Sequence, residues 1–237
     1  SQVHFLFTEE ERGFAPDWDR VRAWARELDL VALGSPNNPT GRALPREALI
    51  RLAGDCPGTH FLVDEAFIDF LPDAERWTLA SLPLPNLLIL RSLTKFYAIP
   101  GLRLGYAVGM PDLVERLRAN ADPWSVNGLA QAAGLACLTE TAYAAILKEL
   151  IGTERTFLSH GLERLGLKVH PSQANFLLVR LPSPAGPWVE RLARRRVLVR
   201  DASDFPGLGP DYLRIAVRTR TENAFLLSQM AGSEAAS

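Results

Sequence analysis

Cysteine and histidine are scarce in this sequence, and neither residue type has the spacing of a metal site. The two cysteines, Cys56 and Cys137, lie far apart and form no Cys-x-x-Cys pair. They therefore indicate neither a zinc site nor a disulfide framework. The four histidines also lack metal-ligand spacing. We expect free thiols and no bound metal.

Long apolar runs and a strong net charge are missing as well. No apolar run approaches the roughly 20 residues that a membrane-spanning helix needs, and no signal peptide is visible. The net charge of -1 argues against broad electrostatic binding of nucleic acid. We see no internal repeat and no low-complexity linker. These absences predict a cytoplasmic enzyme with neither membrane nor nucleic-acid partners.

The apolar runs that are present alternate with helical patterns. This alternation is typical of an α/β fold, in which a mostly parallel sheet is covered by helices on both faces. Ligands of such sheets gather at the carboxyl ends of the strands. The predicted strands are residues 30–34, 60–65, 86–91 and 103–109, and the predicted helices are 45–54, 111–119, 127–141 and 142–165.

Shorter elements predict a smaller α+β domain in the last part of the chain. Residues 1–141 are assigned to a large domain, and residues 142–237 to a hinge helix and a small domain. A length of 237 residues suits one large domain or two modest ones. The predicted strands of the small domain are 167–170, 174–180, 197–200 and 211–218, with helices at 186–195 and 220–231.

One segment places a lysine just after a buried strand. Lys95 follows the apolar run 87–90, Ser92 precedes it, and Arg103 comes eight positions later. Desolvation at a strand end lowers the pKa of a lysine, and a neutral amine can attack an aldehyde. A hydroxyl and a guanidinium nearby can clamp a phosphate. The same segment also fits a surface lysine followed by an ordinary turn, because short motifs have many false positives.

Two further strand ends carry polar side chains. The amide of Asn38 can donate to a phenolic oxygen, although Asn-Pro-Thr-Gly is also favourable turn chemistry by itself. Asp64 and Glu65 end the next strand, where at least one carboxylate should be withdrawn from water. Such an acid has a raised pKa or a cationic partner, for example a protonated pyridine nitrogen. An amine, a phosphate clamp and this acid together are what pyridoxal phosphate (PLP) requires.

In this order, Asn-Pro-Thr-Gly (38–41), Asp-x-Ala-aromatic (64–67) and Ser-x-x-Lys with a later arginine (92–103) resemble a known family. The motifs are similar to those of the fold-type I PLP enzymes, aminotransferase class I/II, over nearly the whole chain. The resemblance implies that Lys95 bonds covalently to the cofactor aldehyde. It also implies these contacts: Asn38 with the ring 3-oxygen, Asp64 with the pyridine nitrogen, Ala66 against the ring, and Ser92 and Arg103 with the phosphate.

One cofactor contact departs from the family pattern, and two substrate contacts rest on shorter matches. Many relatives have a tyrosine at the position of Phe67, and its hydroxyl also bonds the ring oxygen. Phe67 cannot do so, so Asn38 must do more of that work or another group must supply the bond. The resemblance further implies that Arg214 binds the substrate α-carboxylate and that Asn175 assists it.

Within the family, the segments 64–70 and 92–106 are most similar to L-threonine-O-3-phosphate decarboxylase of cobalamin biosynthesis. Its sibling is histidinol-phosphate aminotransferase. The implied function is therefore decarboxylation of threonine phosphate to (R)-1-amino-2-propanol phosphate. The first alternative is an aminotransferase for histidinol phosphate or a related amino acid. The second is a non-catalytic subunit or truncated product that keeps the fold.

The resemblance also concerns the start of the chain and its assembly. Against the family, Ser1 falls about a third of the way in, and the absent part would carry a Gly/Ser loop that donates amides to the cofactor phosphate. We expect a clipped chain, a missing piece on a separate chain, or a truncated product. The family further implies a homodimer, and the apolar stretch 126–138 fits either a core or an interface.

Overall fold

The computed structural model describes residues 2–231, which form two compact units. We call them the lysine unit and the C-terminal unit. The lysine unit comprises residues 16–37 and 43–146. The C-terminal unit comprises the segment up to Ala15, residues 38–42, and the described residues from Leu147 onward.

Four strands form the sheet of the lysine unit, in the order β1-β2-β3-β4. The first three are parallel, and β4 is antiparallel to β3, which confirms the predicted mostly parallel sheet. The carboxyl ends of the parallel strands and the start of β4 therefore share one edge. The strands are β1 (Leu30–Gly34), β2 (His60–Asp64), β3 (Leu87–Ser92) and β4 (Gly105–Gly109).

Helices flank this sheet, and the last of them runs on into the C-terminal unit. The long helix α7 (Thr141–Arg164) contains the boundary between the two units. None of the described helices combines the length and the apolar character needed to cross a bilayer. The other helices of the lysine unit are α1 (Trp18–Ala25), α2 (Arg46–Asp55), α3 (Ala74–Trp77), α4 (Leu93–Phe96), α5 (Pro111–Arg118) and α6 (Gly128–Thr139).

The core of the lysine unit follows the strand alternation. Phe61 and Val63 of β2 are buried together with Leu87 and Ile89 of β3, because alternate residues of a strand point to the same face. The intervening leucines of these strands are half-buried, so the other face is covered less completely. The apolar runs of the sequence therefore mark the sheet that positions the site.

A second sheet, in which every pairing is antiparallel, organises the C-terminal unit in the order β5-β6-β8-β7. Leu178 of β6 and Leu213 of β8 are fully buried and lie in its core. The α+β pattern predicted for this part is confirmed. Its elements are β5 (Lys168–Val169), β6 (Phe176–Arg180), α8 (Ala185–Arg194), β7 (Arg200–Asp201), β8 (Tyr212–Ala216) and α9 (Arg220–Ala231).

The start of the chain clusters with the C-terminal unit, which differs from the assignment of all of 1–141 to one large domain. Glu10 Oε1 lies 2.8 Å from Lys168 Nζ, and Glu10 Oε2 lies 2.6 Å from Arg180 Nη1. Phe14 is buried against Tyr212 in the same unit. These contacts join residues far apart in sequence, so no local pattern could reveal them.

The first turn of α9 predicts a pH-dependent contribution to stability. Glu222 accepts hydrogen bonds from the Thr219 amide (3.2 Å) and hydroxyl (2.7 Å), as in a capping box. Arg218, and then Thr219, lower the pKa of Glu222 to about 2. Because the unfolded value is about 4.3, the stabilisation is complete above that value and is lost as the pH falls towards about 2. In urea unfolding from neutral to acidic pH, the advantage of the wild type over Glu222→Gln should shrink. A constant advantage contradicts this prediction.

Candidate active site

The carboxyl edge of the lysine-unit sheet collects four of the predicted site residues. Asp64 ends β2, Ser92 ends β3, and Lys95 follows in α4. Arg103 comes just before β4, whose first residue, Gly105, pairs with Ser92. The structure thus brings these residues to one edge, and their roles remain predictions.

Asp64 is hydrogen-bonded both to the loop that follows it and to the residue after the neighbouring strand β1. Its Oδ1 accepts a hydrogen bond from the Ala66 amide at 2.9 Å, and its carbonyl accepts one from the Ser35 amide at 2.9 Å. The side chain is exposed, so the second carboxylate oxygen can face a ligand. Ala66 is buried and Phe67 is half-buried immediately after it.

Lys95 lies in the short helix α4 rather than at the end of the strand itself. Three of the four residues of α4 are buried, namely Leu93, Thr94 and Phe96, whereas Lys95 is exposed. The expectation that this amine is shielded from water is therefore wrong for this chain. The reason is the turn after β3, which directs the apolar residues of α4 inward and the lysine outward.

Thr94 links the lysine to the strand end, although it was not among the predicted site residues. The Lys95 Nζ donates to Thr94 Oγ1 at 3.0 Å. The same oxygen lies 2.8 Å from Ser92 Oγ, and either hydroxyl can donate. Two hydroxyls therefore connect the predicted phosphate ligand Ser92 with the amine. The spacing Ser-x-Thr-Lys contained this signal, because Thr94 directly precedes the lysine.

Arg103 has a backbone conformation that is unusual for its residue type. Its φ of 53° lies in the left-handed region, where non-glycine residues are rare and are concentrated at functional sites. The exposed guanidinium donates to the Pro100 carbonyl at 2.9 Å. Two residues later, a Cβ on Gly105 would lie only 2.7 Å from the Arg91 carbonyl, so glycine permits the close pairing of β4 with β3 here.

The acid that is withdrawn from water at the end of β2 is Glu65, not Asp64. Glu65 is 1% exposed, and burial raises the pKa of its carboxyl group. It also has the cationic partner expected of such an acid, since Arg91 Nη1 lies 3.4 Å from its Oε2. The prediction that one of the two carboxylates is buried is therefore confirmed for Glu65.

The C-terminal unit brings together two residues from opposite ends of the sequence. Arg214 in β8 donates through Nη1 to Asn38 Oδ1 at 2.6 Å, and its guanidinium lies 5.1 Å from the centre of the Phe176 ring. Burial, and then the neighbouring Arg200, lower the pKa of Arg214 from its ordinary value. Because Oδ1 accepts from the arginine, the NH2 group is the part of the Asn38 amide that can donate, as its predicted role requires.

Asn175 immediately precedes β6, the strand that pairs with β8, in which Arg214 lies. Its carbonyl accepts a hydrogen bond from the Val217 amide at 2.9 Å, so its backbone continues the pairing of β6 with β8. The side chain is half-buried. Its assistance at a substrate carboxylate remains a prediction.

An amine, a carboxylate, a hydroxyl and a guanidinium at the carboxyl edge of a mostly parallel sheet are groups with which an α/β enzyme can hold a phosphorylated aldehyde cofactor. Comparison with known proteins makes this specific. The model of the aminotransferase class I and II family matches residues 3–229. The chain belongs to this family of PLP enzymes, and both the family and the fold inferred from the motifs are confirmed.

Individual relatives fall in two branches of the family. The chain is 38% identical over 214 residues to a threonine-phosphate decarboxylase of Salmonella typhimurium, covering 89% of this chain and 59% of the relative. It is 40% identical over 209 residues to a histidinol-phosphate aminotransferase of Symbiobacterium thermophilum, covering 86% and 56%. The chain thus spans less than two thirds of the length of these relatives.

Solved structures agree with the fold. The structure of histidinol-phosphate aminotransferase from Clostridium acetobutylicum matches with a TM-score of 0.90 at 28% identity, covering 97% of this chain and 71% of that one. The Sinorhizobium meliloti enzyme of the same name, in complex with pyridoxal-5'-phosphate, matches with a TM-score of 0.82 at 25% identity, covering 91% and 60%.

The donor set of the lysine unit fits PLP. Lys95 offers an amine for the aldehyde, and Asp64 offers a carboxylate for the ring nitrogen. Ser92 and Arg103 offer a hydroxyl and a guanidinium for the phosphate. Among the described residues, no group of three or more His, Cys, Asp or Glu side chains is arranged to hold a metal ion.

Proposed function

We propose that this chain is part of a PLP-dependent decarboxylase that converts L-threonine O-3-phosphate into CO2 and (R)-1-amino-2-propanol O-phosphate. The observation that carries the proposal is the edge where Asp64 and the Ser92–Thr94–Lys95 group meet, in a chain similar to a threonine-phosphate decarboxylase. The proposal includes PLP as the cofactor.

Each predicted site residue of the lysine unit has a defined task in this proposal. Bound PLP would act as a sink for the electron pair of the bond that breaks at the substrate Cα. Asp64 holds a proton on the ring nitrogen, and Ser92 and Arg103 orient the phosphate. Lys95 would hold the cofactor through its amine and, once released and protonated, would deliver a proton to Cα.

The choice of reaction depends on how the substrate carboxylate is held. The position of the carboxylate would decide whether CO2 or a proton is lost from Cα, because PLP would stabilise the electron pair that either one leaves behind. In this proposal Arg214 holds the carboxylate with help from Asn175, and its 2.6 Å bond to Asn38 limits the rotation of the guanidinium.

Histidinol-phosphate aminotransferase is the second candidate function. Its support is the relative of Symbiobacterium thermophilum, whose identity of 40% over 209 residues is comparable to the 38% over 214 residues of the decarboxylase. Both candidates act on a phosphorylated amine and share the same predicted cofactor contacts. They differ in the need for an amino-group acceptor.

The two candidates are separated by one assay. The purified protein is incubated with PLP and either threonine phosphate or histidinol phosphate, with and without 2-oxoglutarate, and both CO2 release and glutamate formation are measured. We expect CO2 without any keto acid. Transamination of histidinol phosphate that depends on 2-oxoglutarate, without CO2 release from threonine phosphate, would overturn the first proposal in favour of the second.

The proposal includes the setting of the enzyme, a cytoplasmic homodimer of cobalamin biosynthesis. Support for a second copy comes from α6, where Leu129, Leu135 and Leu138 are 76%, 71% and 62% exposed. Apolar side chains that are exposed together are typical of interfaces. Light scattering on the purified protein should give twice the mass of the chain, and a monomer at all concentrations would reject this part.

A further inference from the structure

A buried acid lies directly behind the predicted cofactor edge. Glu65 accepts a hydrogen bond from the Thr78 hydroxyl at 2.6 Å and another from the Leu79 amide at 2.8 Å. Its own amide donates to the Leu90 carbonyl of β3 at 2.8 Å. Glu65 thus joins the end of β2 to β3 and to the segment that follows α3.

Arg91 completes this group from the neighbouring strand. Its side chain is only 13% exposed. The Nη1 atom lies 3.4 Å from Glu65 Oε2, and the Nη2 atom lies 2.5 Å from Asp69 Oδ1. The same Nη1 lies 3.3 Å from Thr78 Oγ1. One guanidinium therefore connects two carboxylates and a hydroxyl.

Strand alternation relates this group to the site. Asp64 and Glu65 are consecutive, and the first is exposed while the second is buried. Arg91 and Ser92 are consecutive at the end of β3. Each partner of the buried ion pair is therefore the chain neighbour of a predicted cofactor ligand. Because successive side chains of a strand point to opposite faces, the ion pair can be buried while its neighbours face a ligand.

We propose that Glu65 and Arg91 are positioning residues, which fix the strand ends that present Asp64 and Ser92 to the cofactor. The inference rests on the proposed function, since it concerns the same site. A buried carboxylate without its cation is strongly unfavourable. Displacement of either strand end would separate Glu65 from Arg91, so the ion pair keeps both strand ends in place. Neither residue needs to touch the cofactor, because each acts through its neighbour in the chain.

The pair is tested with Glu65→Gln, which keeps the shape of the side chain and removes its charge. Glu47→Gln, on the exposed surface of α2 in the same unit, is the matched control. We measure the dissociation constant of PLP for each variant. Outer-shell partners of bound metals contribute roughly 10- to 100-fold in affinity, and we expect a weakening of PLP binding of this order for Glu65→Gln. Glu47→Gln should bind PLP as the wild type does.

A second measurement needs no cofactor. Hydrogen exchange is followed at two strand-end amides, Glu65 (bonded to the Leu90 carbonyl) and Ser35 (bonded to the Asp64 carbonyl). Loss of a hydrogen bond to a charged group predicts exchange that is faster by about 10- to 100-fold at these amides, with the sheet centre unchanged. Uniformly faster exchange throughout the unit would indicate a merely structural role and overturn the inference.

The outcomes separate this inference from the proposed function. Wild-type PLP binding together with unchanged affinity and exchange in Glu65→Gln overturns the positioning role alone. A wild-type protein that does not bind PLP overturns the proposed function and the inference that rests on it. If Glu65→Gln does not fold, Asp69→Asn replaces it, because Asp69 holds the other side of Arg91. Wild-type behaviour of Asp69→Asn would then reject the proposal.

Discussion

Replacing Lys95 with alanine should reduce turnover by at least roughly 10²–10⁴-fold, the usual contribution of a positioned proton donor. The loss should be larger if the covalent link to PLP is also required, since the same amine performs both tasks. Turnover of the proposed substrate is the measurement. Lys95→Arg should not restore activity, because arginine keeps its charge and cannot act as a neutral nucleophile.

The control for this prediction is Lys148→Ala on α7. Lys148 carries the same functional group but lies far from β3 in sequence. It should keep wild-type turnover. An active Lys95→Ala variant, or equal losses in both variants, would contradict the role assigned to Lys95.

Replacing Arg214 with methionine should raise the KM for the amino acid by about 30- to 4,000-fold. This range corresponds to the roughly 2–5 kcal/mol lost when one partner of a desolvated charge pair is truncated. Methionine keeps an apolar stem against the Phe176 ring, so the folding of β8 should be affected little. Steady-state kinetics at several substrate concentrations measure the effect.

Arg218→Met is the matched control for Arg214. Arg218 is an exposed arginine four residues further on, and it pairs with Glu222 instead of Asn38. It should leave the KM unchanged. If both variants raise the KM equally, the effect is general loss of positive charge, and the proposed carboxylate contact is rejected.

Most strands and helices followed from local pattern, but α1 and α3 were not predicted, and β7 shares only Arg200 with the predicted strand 197–200. β1 coincides with the predicted range 30–34, and β6 and β8 lie within theirs. The short helix α4 was not predicted, because four residues make about one helical turn, and a segment of that length does not show a helical repeat. This omission explains the error on Lys95, since a strand end and a helical turn direct the same side chain differently.

Contacts between distant segments could not be predicted from one sequence. The bond between Asn38 and Arg214 spans 176 positions, and no local spacing indicates it. The same holds for Arg91, whose carboxylate partners are 26 and 22 positions earlier. The motif at 64–65 predicted a buried acid, and the structure shows that it is Glu65, which is buried while Asp64 is exposed.

The measurement closest to the central claim is borohydride reduction of the protein after incubation with stoichiometric PLP, followed by peptide mapping. The chain has three lysines, Lys95, Lys148 and Lys168, so the other two serve as internal controls. We predict a pyridoxyl group on Lys95 alone in the wild type, and no labelled peptide in Lys95→Ala. Labelling of Lys148 or Lys168 with Lys95 unmodified would contradict the account.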